Sequence, residues 1–72
     1  MKTCRWAKLD QDIHGRTIWG ARYPGEPEVG EVVQMVKADG NQSLAMVTRI
    51  VRQYPDNALC YIRDMELGGK EG

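Results

Sequence analysis

From residue 30 onward the chain alternates between apolar, β-branched runs and short polar breaks. Gly-Glu-Val-Val-Gln-Met-Val-Lys leads into Ala-Asp-Gly-Asn. Gln-Ser-Leu-Ala-Met-Val-Thr-Arg-Ile-Val leads into Arg-Gln-Tyr-Pro-Asp-Asn, and Ala-Leu-Cys-Tyr-Ile-Arg closes the series. Runs of this length and composition suit a pleated, half-buried surface. Asp39-Gly40 supplies the positive φ that a tight hairpin turn requires, and Pro55-Asp56-Asn57 supplies the next reversal. The pattern predicts an antiparallel meander of three strands over 31–37, 43–51 and 58–63.

The first part of the chain adds two more strands. Residues 3–9 alternate loosely, setting Cys4, Trp6 and Lys8 against Thr3, Arg5, Ala7 and Leu9. After a polar stretch ending in Gly15, residues 16–23 resume with Thr, Ile, Trp and Tyr, which makes a first hairpin with a longer loop. Gly20 inside the second strand marks a bulge or a sharp bend. Pro24-Gly25-Glu26-Pro27-Glu28 has few donors and little to bury, so it reads as a surface connection between strands that are not neighbours.

Beyond Asp64 apolar content falls away. Residues 64–67 have room for one helical turn at most, and 67–72 read as a disordered tail after a single domain over 1–66. Eight glycines and three prolines punctuate the sequence and leave little helical signal. The expected fold is therefore all-β: one small five-stranded antiparallel barrel of the SH3-like or OB-like kind.

Both faces of the third and fourth strands are apolar. Val33 and Met35 alternate with Val32, Gln34 and Val36, while Leu44, Met46 and Ile50 stand against Ala45, Val47 and Val51. Either a coiled, closing sheet covers both faces, or one face is left for a second copy or a partner. A chain of 72 residues buries only about 60% of its unfolded surface, and that economy favours the first reading.

Ten Lys and Arg balance ten Asp and Glu, so the formal net charge is zero, which is not the profile of a dedicated polyanion binder. The charge is nevertheless polarised. Lys2, Arg5, Lys8 and Arg16 face only Asp10 and Asp12 in the first part of the chain, while Glu26, Glu28 and Glu31 stand unopposed. The apolar runs are short and the N-terminus has no apolar leader, so the expectation is a cytoplasmic protein with no membrane contact. In that compartment Cys4 and Cys60 are expected as reduced, packed thiols, although a closing barrel brings the first and last strands near enough to leave a disulfide open.

Candidate chemistry is sparse. Cys4, His14 and Cys60 lack the close spacing that pre-organises a metal knuckle, and neither cysteine has a base nearby in sequence. Asp10 with Asp12 and Glu26 with Glu28 fall in loops, where solvent keeps like charges apart. With no glycine-rich phosphate cradle either, the expectation is a non-enzymatic protein with no metal and no cofactor.

What stands out is aromatic residues interleaved with arginines: Arg5-Trp6, Trp19 with Arg22 and Tyr23, Arg49 and Arg52 before Tyr54, and Tyr61 with Arg63. Such residues stack bases and hold phosphates in single-strand binders, and they also dominate the energetics of protein interfaces. Trp6, in a chain without phenylalanine, is assigned to the core. The candidate partner-binding residues are Trp19, Arg22, Tyr23, Arg49, Arg52, Tyr54, Tyr61 and Arg63.

The pattern Trp19-Gly-Ala-Arg22, then 30–40 with its Asp39-Gly40 turn, then Val47-Thr-Arg-Ile-Val51 and Ala58-Leu-Cys-Tyr-Ile62 resembles a small β-barrel module of bacterial and phage proteins. The resemblance spans most of the chain and rests on turns and core positions, so it implies fold rather than activity. The chain departs from that module in the acidic proline loop before Gly30. Its size is also similar to that of small phage accessory proteins, some of which plug a host defence complex. The combined expectation is a protein-binding module that inhibits a host complex, with a homodimer left open; the alternative is a nucleic-acid-binding barrel using the same arginines and aromatics.

Overall fold

A computed structural model describes residues 1–65 and contains five strands: β1 (Thr3–Gln11), β2 (Thr17–Tyr23), β3 (Val32–Val36), β4 (Gln42–Gln53) and β5 (Ala58–Met65). Each expected strand is present. β4 runs on at both ends and β1 runs on through Asp10 and Gln11, while Asp64 and Met65 continue β5 rather than starting a helical turn. The assigned tail, 67–72, lies outside the described residues, as do Glu66 and the end of the 1–66 domain.

The strands form one sheet in the order β1-β2-β5-β4-β3, and β3 pairs back onto β1. A ring of five strands cannot alternate direction all the way round. One neighbouring pair has to be parallel, and it is β1 with β3, matched Cys4 to Met35 and Arg5 to Val36. The other neighbours are antiparallel. Within the ring, β2-β5-β4-β3 is a Greek key, with 24–31 as its long connection, which is why that segment joins strands that do not pair.

Two hairpin turns use the same device. Gly15 N–H donates to Asp12 O and Asp12 N–H to Arg16 O; likewise Gly40 N–H donates to Lys37 O and Lys37 N–H to Asn41 O. In each the glycine has φ near 80–90°, at +79° for Gly15 and +92° for Gly40, where a side chain would be strained. Asp12 adds its carboxylate, accepting from the His14 and Arg16 backbone N–H groups.

The interior is small. Cys4, Ala21, Tyr23, Val33, Met35, Ala45, Val47, Ala58 and Cys60 are buried, with Trp6 and Ile62 packed against them. Val33 and Met35 point inward, whereas Val32, Val36, Leu44 and Met46 on the other side are half-buried. The alternation in β4 does not run through the strand. Extra residues at Thr48 and Val51 shift its register against β5 twice, so Ile50 pairs with buried Cys60 and the Leu44–Met46 side does not continue to Ile50.

Gly20 is not itself the bulge. The extra residue is Leu9 of β1, where the register slips between Lys8 and Asp10. Gly20 sits under it: a Cβ there would lie 2.3 Å from both Leu9 Cδ1 and the Cys60 carbonyl oxygen. Close approach of two neighbouring strands and a folded-over leucine is what the position requires.

Candidate interaction surface

The two bulges of β4 decide where its arginines point. Ala45 and Val47 are buried, so strict alternation would send residue 49 inward as well. The extra Thr48 reverses the alternation, leaving Arg49 opposite Tyr61, and the extra Val51 then leaves Arg52 opposite Leu59. Both guanidinium groups thereby reach the outer face of the sheet, where both residues are exposed.

Strand pairing extends this face around the ring. Arg5 is matched to Arg22, Arg22 to Leu59, and Leu59 to Arg52, which makes one outward rung across β1, β2, β5 and β4. The next positions along β5 are Tyr61 opposite Arg49 and Arg63 opposite Met46. Neighbouring strands lie about 4.8 Å apart, so Arg22 and Arg52 flank Leu59 at a backbone separation of about 10 Å. Asp10 and Asp64 are the only acidic residues within the strands, both near strand ends. The face is therefore strongly cationic on a chain whose net charge is zero.

Of the residues expected to contact a partner, Arg22, Arg49, Arg52, Tyr61 and Arg63 come together here. Arg5 and Leu59 join them; the spacing in sequence does not show this, because the neighbours are supplied by pairing over tens of residues. Arg22 also donates from Nη1 to Asn57 Oδ1 at 2.8 Å, which steadies it against the β4-β5 turn. Tyr54 is half-buried in that turn, its N–H donating to Asn57 O at 2.7 Å.

Tyr23 does not belong to this face. It is 4% exposed, a member of the core, and offers no surface to a partner. Its alternation with Arg22 explains why: Ala21 and Tyr23 face inward and Arg22 outward. The phenol donates to Glu31 Oε2, and this hydrogen bond, with burial, raises its pKa from 10.0 to about 12.

Trp19 is exposed, but at the opposite end of the inner side of β2 from Tyr23, with Ala21 between them. It is matched to Lys8, and Trp6 to Ala21, so both tryptophans line the mouth of the closed sheet. Together with Arg5, Val36, Lys37, Ala38 and Asp64 they border a groove of about 590 Å³. Asp64 is matched to buried Ala45, which places it on the inner side at the same mouth.

The cysteines are buried, free thiols. Burial, followed by the neighbouring Cys60 and Glu31, raises Cys4 from 9.0 to about 11; burial and Glu31 also raise Cys60. Thiols held protonated in this way are poor nucleophiles. His14 sits in the exposed β1-β2 turn, and among the described residues no three His, Cys, Asp or Glu side chains gather as a metal site. No helix among these residues is long and apolar enough to cross a membrane.

The chain finds no match among family models, curated proteins or solved structures.

Proposed function

We propose that this chain is a non-enzymatic protein-binding module whose outer β2-β5-β4 face grips an acidic protein surface. The observation that carries the reading is the rung Arg5, Arg22, Leu59 and Arg52 with Tyr61 and Arg49 beside it. Arginine, tyrosine and methionine over an apolar centre, with lysine and carboxylates kept away, is the composition that protein interfaces favour. Like charges directly opposite one another, as Arg5 and Arg22 are, weaken a sheet. An anionic partner relieves that repulsion, so binding gains what folding gives up.

A nucleic-acid-binding barrel is the second reading, and the same arginines favour it. Single-strand binding also needs aromatic platforms for successive bases. Tyr61 is the one aromatic residue of the paired strands on the arginine face, since Tyr54 is half-buried in the β4-β5 turn, both tryptophans line the groove at the mouth and Tyr23 is buried. Protein binding therefore ranks first.

The ring of five strands supports reading the architecture as a small barrel of the SH3-like or OB-like kind. The resemblance to small phage accessory proteins suggests what such a module would do, namely occupy a surface of a host complex and inhibit it. Capture of partners from a native host's lysate, with and without nuclease, tests the reading. A protein retained after nuclease treatment and lost on Arg49→Glu with Arg52→Glu supports it. Retention that ends with nuclease, or that ignores the charge reversal, contradicts it.

A further inference from the structure

The groove at the mouth of the sheet shares Arg5 with the arginine face but has a different chemistry. Trp19 is 56% exposed there, far more than an indole used only for packing, and it presents a flat apolar surface. Trp6 forms another part of the lining, and its Nε1–H is buried with no acceptor among the described residues. An unsatisfied indole donor is costly. Arg5 and Lys37 supply positive charge at the rim, and Asp64 supplies a carboxylate acceptor. A volume of about 590 Å³ is in the range of small-ligand sites, roughly 300–1,000 Å³.

We propose that this groove binds a nucleoside monophosphate unit. The ligand that fits these groups has a planar ring with N–H donors on its edge and an anionic group. The ring stacks on Trp19, its N–H donors meet the Asp64 carboxylate, and the phosphate lies by Lys37 and Arg5. A free mononucleotide and an unpaired nucleotide at the end of a single strand present the same chemistry, and the experiment separates them.

Isothermal titration calorimetry of the full chain with AMP, GMP, CMP and UMP tests the proposal, with ribose 5-phosphate and inorganic phosphate as ring-free controls. At least one mononucleotide should bind saturably and the controls should not. Trp19→Ala should weaken binding roughly 5- to 150-fold, the span of one lost base stack. Lys37→Ala, on an exposed turn residue, should weaken it while leaving the fold intact and reduce its salt dependence. If a short oligonucleotide binds much more tightly than the mononucleotide, with the same dependence on Trp19, the strand end is the source; equal affinity assigns the free nucleotide. Absence of saturable binding by either, or binding indifferent to both Trp19→Ala and Lys37→Ala, overturns the proposal. Arg49→Glu with Arg52→Glu is expected to leave this affinity unchanged, so the two surfaces can fail independently.

Discussion

The phenolic O–H of Tyr23 donates to Glu31 Oε2 at 2.5 Å across the two ends of the acidic proline connection. The other carboxylate oxygen of Glu31 accepts from Glu28 N–H at 3.2 Å, and Gln53 Nε2 reaches the same loop at Gly25 O. The connection is thus held by the Glu31 carboxylate together with Gln53, the Gly30 N–H on Val47 O and a buried Pro27. Tyr23→Phe removes the donor and leaves Glu31 half-buried without it, with an expected loss of about 1–3 kcal/mol, since the lost hydrogen bond is to a charged group. Urea unfolding measures it; unchanged stability would show that solvent replaces the phenol.

The same bond makes stability depend on alkaline pH. Tyr23 rises from 10.0 to about 12 and Cys4 from 9.0 to about 11, so the folded state favours their protonated forms. That stabilisation is complete below the unfolded values and is lost as pH climbs through the folded ones, because the unfolded chain releases its protons first. Thermal unfolding temperature should fall progressively between about pH 9 and 12. Tyr23→Phe should flatten the upper part of that fall.

Gly20 tests the closeness of the strands. Gly20→Ala places a methyl 2.3 Å from the Cys60 carbonyl oxygen, and backbone has little freedom to move. An expected destabilisation of about 1–3 kcal/mol follows from overpacking. Denaturant midpoints compared with Gly40→Val separate the causes, because Gly40 has open space around it and a φ of +92°. That variant should lose roughly 1–3 kcal/mol through backbone strain alone.

The thiols offer a check on closure. Cys4 and Cys60 are fully enclosed in the native chain. An aromatic disulfide reagent at pH 8 should label them at the rate of unfolding and quickly only in denaturant. Rapid labelling of the native protein would mean that the ring opens.

The strands and the turns at Asp39-Gly40 and Pro55-Asp56-Asn57 could be read from sequence because each is a local matter of β-branched runs and turn residues. Closure could be anticipated only in outline. The parallel pairing of β1 with β3 depends on contacts about thirty residues apart, which no local pattern encodes. The same holds for the site. Single arginines are visible in the chain, but their gathering depends on Thr48 and Val51 as extra residues, and nothing in Val-Thr-Arg-Ile-Val-Arg marks those as bulges rather than continued alternation. Tyr23 was the opposite case. An aromatic beside an arginine looks like surface, yet strand alternation assigns the two to opposite faces.

Site-specific photo-crosslinking from position 61 identifies what occupies the β2-β5-β4 face. With a photoreactive phenylalanine in place of Tyr61, a covalent adduct to an acidic protein is expected, resistant to nuclease and lost when Arg49 and Arg52 are reversed to glutamate. The same probe at Val29, exposed in the acidic connection, should give none. An adduct that nuclease digests away, or equal crosslinking from both positions, would contradict an acidic protein partner on the β2-β5-β4 face.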